Sequence, residues 1–412
     1  DNVESRGLGD VYKRQLLTGL NSHMAGMGHV AHFDPGFPGY AMEIREDALT
    51  MGDLFQEHGW ASLMIGKWHL CKDSNLSEAG PKHSWPLQKG FERFYGILGG
   101  FTNFHQPHRL HEDNHALDID DYPDDYYFTD DLTDQAIKMI KELRSSDPTK
   151  PWFMYFAHGA VHAPLQAKSE DIEKYKGKYD AGWDELRKQR FERQQELGVV
   201  SDQALLPDRN FELNHAVKPW DELTSLEKEL FARYQEIFAG MVDNVDQNFK
   251  RLRDELEQMD EWNNTIIVFT SDNGGSREGQ ELGTSAYFRT LLAFTGHTDL
   301  ESTELDHSRI DLLGGPRSLA HYPMGWAMTS NTPFRLYKTN THQGGQQVPL
   351  IVHWQKGLPP DNQLRHQYQH VTDLLPTICE LVGIEIPTSK GEEQLPPAAG
   401  NSFAISLTNP SA

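Results

Sequence analysis

Cysteine is almost absent from these 412 residues, with Cys71 and Cys379 the two present. Neither a disulfide framework nor a thiolate metal cluster can be built from them, and a single bridge between the two stays open. Basic residues are outnumbered: 38 Lys and Arg stand against 61 Asp and Glu, a formal charge of −23. That balance argues against nucleic acid as a partner, because phosphate backbones attract stripes of Lys and Arg. Long apolar runs are missing as well. A stretch such as Thr265 to Phe269 falls far short of the roughly 18 to 20 residues of a bilayer-spanning helix, so no integral membrane association is expected. The chain does not begin with Met, and no basic segment leads into an apolar one at its start. It reads as a fragment, and it assigns itself neither a compartment nor an oligomeric state.

What is present is a globular composition, 37% hydrophobic with 34 glycines, which excludes disorder as the main state. The length would allow two or three domains of about 150 residues, but a single large α/β domain is the leading expectation. Residues 1–15 (DNVESRGLGDVYKRQ) show neither period 2 nor period 3.6 and run abruptly into LLTG at Leu16; they read as a junction foreign to the fold. Asp47 to His58 reads as a helix stopped by Gly59, and Ala61 to Ile65 as a strand. The same order recurs. Leu132, Ala136, Met139, Ile140 and Leu143 share a helical face ahead of the buried strand Pro151 to Ala157. Lys168 to Glu196, dense in charge, reads as an exposed helical excursion. Thr224 and Glu227 form a capping box for a helix through Leu230, Tyr234, Ile237, Met241 and Leu256, which feeds the strand Thr265 to Thr270. Another apolar strand, Val348 to Trp354, precedes a helix through Leu374, Leu375, Ile378 and Leu381. Repeated helix and strand predict an α/β fold with a mostly parallel sheet sandwiched by helices. Residues 16–385 would form that domain, and 386–412, with Pro387, Pro396, Pro397 and Pro410, would be a linker to a missing domain.

Ligands of an open parallel sheet sit beyond the carboxyl ends of its strands. Four such exits carry polar clusters: Gly66-Lys67-Trp68-His69-Leu70, His158 with His162-Ala163-Pro164, Ser271-Asp272-Asn273-Gly274-Gly275, and the loop bearing Lys338. Asp272 and Asn273 offer the hard oxygen donors that Ca²⁺ or Mg²⁺ prefers, although Asp-Asn-Gly-Gly is also a good turn. Lys67 and Lys338 could hold an oxyanion while His69 and His162 move protons near neutral pH, which together point to an anionic ester substrate. Any one of the 20 histidines is by itself more often a surface or core residue, and a lone lysine is usually solvated. Asp118, Asp120, Asp121, Asp124 and Asp125 crowd one stretch, but without the Gly and Glu of an EF-hand loop they read as a solvated acidic loop.

The blocks LLTG, GYAMEIREDALTMGDLFQEHGWASLMIGKWHL, WPLQKGFERFYG, FAHGAVHAPL, IIVFTSDNGG and TPFRLYKTNTHQGGQQVPLIVHW, in that order from Leu16 to Ile384, resemble the sulfatase family and within it the bacterial arylsulfatases. The resemblance implies an alkaline-phosphatase-like α/β fold that hydrolyses sulfate esters with a formylglycine nucleophile beside one divalent metal, usually Ca²⁺. Asp272 and Asn273 would be metal ligands, and Lys67 would bridge nucleophile and sulfate. His69 would hold the formylglycine hydroxyl, and His162 and Lys338 would bind the sulfate and assist the leaving oxygen. The departures are equally specific. Where the family has C-x-P-x-R or S-x-P-x-R just before LLTG, this chain has Gly9, Val11 and Lys13, so the formylglycine residue is absent. The upstream strand with two further Asp ligands and the small C-terminal domain are also missing, and Gln343 stands where many members have Glu. The chain alone is therefore expected to be inactive, and its partner in the parent protein to be a small sulfate ester. A phosphate or phosphonate monoester hydrolase of the same superfamily is the nearest rival reading, and a non-catalytic binder of sulfated ligands the rival from another class.

Overall fold

A computed structural model of the chain describes residues 9–26, 28, 31, 36–37, 39–289 and 303–411. Its centre is a strand in which all seven residues, Ala61–Lys67 (β1), are buried. β1 pairs in parallel with Arg93–Ile97 (β2) on one side and with Trp152–Ala157 (β5) on the other. Two short antiparallel strands, Leu110–Glu112 (β3) and His115–Ala116 (β4), extend the sheet beyond β2, giving the order β4-β3-β2-β1-β5.

Side-chain alternation along the strands sends neighbours to opposite faces, and each face has its own core. Leu63 and Ile65 pack with Leu132 and Ala136 of Phe128–Ser146 (α3) and with Leu230, Ile237 and Met241 of Ser225–Gln258 (α6). Met64 and Phe94 face the other way, onto Leu54 and Phe55 of Met51–Glu57 (α2), Leu17 of Gly9–Thr18 (α1), and Leu375 and Cys379 of the helix Leu374–Val382. The expected sandwich is thus present. α6 begins where its capping box places it: Thr224 accepts from the Glu227 amide and Glu227 returns to the Thr224 amide. α2 starts later than the pattern suggested, at Met51, because Thr50 and Asp53 form a second capping box.

Four expectations change. Residues 9–15, read as lacking any period, lie in α1, where Val11, Lys13, Arg14 and Gln15 are buried; tertiary contact rather than local pattern holds this helix, while residues 1–8 lie outside the described ones. The apolar strands expected at 265–270 and 348–354 form as Ile267–Thr270 (β6) and Leu350–His353 (β7), but they pair antiparallel with each other in a separate sheet. A short apolar run does not encode the direction of its partner. The excursion at 168–196 forms Ser169–Glu173 (α4) and Gly182–Glu196 (α5), and it is anchored rather than merely exposed, with Ile172, Trp183, Arg187 and Phe191 buried. The tail after 386 includes a two-stranded hairpin and the helix Ala404–Thr408, and Phe403 packs with Val371 and Leu374.

Cys71 and Cys379 are both buried and unbridged, which closes the question of their pairing in this conformation, and burial pushes their thiols up to about 12 and about 11. Asp118, Asp120, Asp121, Asp124 and Asp125 are exposed, as a solvated acidic loop requires. No helix among the described residues is long and apolar enough to cross a membrane.

Candidate functional site

The exit of β1 is shaped by glycines. Gly66 has φ +101°, and a Cβ there would collide with the Ala157 carbonyl of β5; at Gly96 of β2 it would collide with the Gly66 carbonyl. Three backbones therefore approach closely just where Lys67 leaves the sheet. Lys67 is buried, Trp68 is fully buried with Nε1 donating to the Ser84 carbonyl at 2.9 Å, and His69 is buried again. His69 has φ +55°, its amide donates to the Leu98 carbonyl at 3.0 Å, and its ring lies over Gly100, where a Cβ would come within 2.7 Å of Cε1.

After β5 the chain passes His158, whose ring stacks on Phe156 at 4.3 Å and whose pKa is lowered to about 4 by burial. His162 follows. Its Nδ1 lies 2.8 Å from the Ala163 carbonyl, which assigns the proton to Nδ1 and leaves a lone pair on Nε2. Lys338 Nζ sits 3.2 Å from that Nε2 and 3.0 Å from Glu278 Oε1. Burial lowers the His162 pKa well below its ordinary value, and the charges of Lys67 and Lys338 lower it further. His162 is thus a neutral imidazole with the Lys338 ammonium at its Nε2 and the charge of Lys67 acting on it.

The loop after β6 is tied to the loop carrying Lys338. The Lys338 amide donates to the Gly275 carbonyl at 3.0 Å, Asn331 Oδ1 accepts from the Gly275 amide at 2.6 Å, and Asn331 Nδ2 donates to the Leu336 carbonyl at 2.9 Å. This lacing places Asp272 and Asn273 three and two residues from the Lys338 contact. On their other flank, Tyr12 of α1 lies 3.3 Å from Thr270, and burial raises its pKa, with the Asp272 charge adding to the rise. The helix that begins at Gly9 therefore reaches the same strand end as the proposed metal ligands. Asn273 Nδ2 donates to the Gly274 carbonyl at 2.8 Å. One carboxylate and one amide are hard donors suited to Ca²⁺, but Ca²⁺ takes six to eight oxygens. No group of three His, Cys, Asp or Glu side chains among the described residues could hold a metal. These two residues do not by themselves make a complete cation site.

The structure thus unites Lys67, His162 and Lys338, places His69 two residues along the same strand exit, and sets Asp272 and Asn273 beside the Lys338 loop. It adds groups that sequence reasoning missed: Glu278, Tyr287, whose hydroxyl donates to Glu278 Oε2 at 2.8 Å, and His321, stacked on Tyr287 at 6.0 Å. Glu278 lies only three residues beyond Gly275, in an irregular loop without any period to mark it. The signal that points to it is the need of a buried lysine, Lys338, for a carboxylate partner.

The Sulfatase family model matches residues 9–384. An uncharacterized sulfatase of Schizosaccharomyces pombe is 30% identical over 397 residues, covering 92% of this chain and 67% of that protein. An arylsulfatase of Klebsiella aerogenes is 29% identical over 408 residues, covering 95% of this chain and 80% of that one. Among solved structures, Ps i-CgsB in complex with k-i-k-neocarrahexaose superposes with a TM-score of 0.58 at 21% identity, covering 98% of this chain and 66% of that one. At that identity the likeness speaks for the fold. The chain spans about two thirds of the length of the first and third of these proteins.

Proposed function

The chain belongs to the sulfatase family, and from that premise we propose that Lys67, His69, His162 and Lys338 form the site at which it takes the sulfate group of a small sulfate ester. Its reaction class is sulfuric ester hydrolysis on an alkaline-phosphatase-like α/β fold, and the family generally uses a divalent metal and a formylglycine. The observation that carries the reading is the Lys338 ammonium against His162 Nε2 at 3.2 Å, with Lys67 acting on the same imidazole.

A sulfate ester spreads one negative charge over three oxygens, and its bridging oxygen gains charge as the S–O bond breaks. Lys67 and Lys338 answer that charge from buried positions, where a fixed cation is worth more than in water. Because His162 is neutral, Lys338 is the member of the pair with a proton to give, and His162 Nε2 is the base beside it. Held over Gly100 by its left-handed backbone, His69 would grip the hydroxyl of the nucleophile. Asp272 and Asn273 would provide two of the oxygens around a divalent cation, Ca²⁺ before Mg²⁺, which when bound would neutralise charge on the sulfate. Gly9 stands at the motif position of the formylglycine precursor and has no side chain to attack with, so this chain would bind a sulfate ester without turning it over.

That property makes equilibrium binding the direct test. Titration calorimetry with 4-nitrophenyl sulfate should show saturable binding that weakens by roughly tenfold or more in Lys67→Ala and in Lys338→Ala, as expected for loss of a charge-assisted contact. Equal binding by all three proteins would remove the assignment.

A further inference from the structure

Three aromatic side chains that lie outside every block marking the family gather beside His162. The Tyr287 ring meets the His162 ring edge-on with centroids 6.4 Å apart. The same ring meets Phe101 edge-on at 5.8 Å and Phe288 at 6.5 Å, and Phe101 meets Phe288 at 5.4 Å. Phe101 directly follows Gly100, over which the His69 ring lies, so the trio joins the segment under one candidate histidine to the segment beside the other. Tyr287 is buried, Phe101 half-buried and Phe288 48% exposed. A single exposed Phe would mean little, but this one is the outermost member of a packed trio that begins at a site residue. The trio is also braced. The Tyr287 amide donates to the Leu319 carbonyl at 2.6 Å, His321 stacks on the Tyr287 ring at 6.0 Å, and Arg289, next after Phe288, pairs with the buried Asp306.

We propose that Phe101 and Phe288, braced by Tyr287, seat the leaving group of the ester and select an aromatic one over a sugar or a short alkyl chain. The inference rests on the reading of Lys67, His69, His162 and Lys338 as the sulfate site and extends it to the group beyond the bridging oxygen. With the sulfate held at His162 and Lys338, a planar group attached through that oxygen runs along the trio beside His162. Another ring joins such a cluster by edge-to-face or offset contact and buries apolar surface on both partners. A sugar would instead need several hydrogen-bonding groups aimed at its hydroxyls. The polar neighbours of the trio are engaged within the protein: Thr102 Oγ1 accepts from the His108 amide at 3.0 Å, Asn103 Nδ2 donates to the Pro316 carbonyl at 2.9 Å, and Arg289 is held by Asp306. The Tyr287 hydroxyl likewise donates to Glu278 Oε2 at 2.8 Å. What the trio offers a leaving group is ring surface. Phe101 and Phe288 are therefore specificity-determining residues that act on the part of the ester remote from the sulfur.

The test is titration calorimetry of the full chain with 2-naphthyl sulfate, methyl sulfate and glucose 6-sulfate, the weaker ligands being read by displacement of the naphthyl ester. Wild type should bind 2-naphthyl sulfate roughly tenfold or more tighter than either of the others. Phe288→Ala and Phe101→Ala should each weaken 2-naphthyl sulfate by roughly fivefold and leave methyl sulfate unchanged, while Phe288→Tyr, which keeps a ring, should retain the preference. A merely structural role would weaken all the esters together. Should Phe101→Ala fail to fold, Phe288→Ala decides, because a half-exposed ring can be removed with little loss of core. An unchanged ratio of naphthyl to methyl ester in Phe288→Ala overturns the aromatic seat and leaves the sulfate site standing. Glucose 6-sulfate binding to wild type as tightly as 2-naphthyl sulfate does the same. If wild type binds none of the three esters, the sulfate-site reading falls, and this inference with it.

Discussion

Three lysine and histidine side chains that sequence inspection singled out for the same chemistry come together because each is placed by a different kind of constraint. Lys67 is placed by strand register, opposite Ile97 of β2. His162 is fixed through its own ring proton on the Ala163 carbonyl, and Lys338 through its backbone bond to Gly275. His158 shows the opposite outcome. It sits at the same strand exit as His162 but stacks on Phe156 with its pKa near 4, so it serves packing, as most single histidines do. Its folded pKa lies below the unfolded value of about 6.5. The unfolded chain therefore binds more protons between those two values, and stability falls as pH drops from about 6.5 towards 4. Urea midpoints measured across that window should decline as pH falls, and His158→Gln should flatten the slope. An unchanged slope in the variant would show that His158 is not the group responsible.

At the scale of elements, the decisive contacts are between backbones. Gly66 and Gly96 let β5, β1 and β2 close up at their carboxyl ends, with Gly66 at a φ of +101° that a side chain rarely tolerates. Gly66→Ala should cost on the order of 3 kcal/mol or more, from backbone strain and the clash with Ala157 together, read as a lower denaturant midpoint or as loss of soluble protein. Gly59→Ala, another glycine at positive φ but with nothing within 4 Å of its Cβ, should cost less and serves as the control. Local signals located α6 and its capping box well, since a cap and a 3.6-residue period are both written in consecutive residues. They failed for α1. Its sequence GDVYKRQLLT buries Lys13, Arg14 and Gln15 alongside Val11 and Leu17, a pattern that no amphipathic template recognises.

Considered whole, the molecule has a sheet covered on both faces around β1, yet its β5 edge and the separate β6–β7 pair are less covered. Five of the six β5 residues are only half-buried, and Phe269 and Ile351 are 44% and 57% exposed. Apolar side chains left open along strand edges and faces in this way favour association between chains. The chain as it stands should hydrolyse no 4-nitrophenyl sulfate, with or without Ca²⁺, because Gly9 offers no nucleophile. Release of 4-nitrophenol that disappears in His162→Ala would overturn that expectation. Ordered motifs along the chain were enough to determine the family and the α/β class and to single out six candidate site residues, because strand exits and short polar blocks are local features whose spacing survives in one dimension. The tertiary structure alone decided that β6 and β7 pair antiparallel, that residues 9–15 join a helix, and that Glu278 stands against Lys338. Strand direction, burial of polar side chains and charge balance depend on what distant segments bring to the same place.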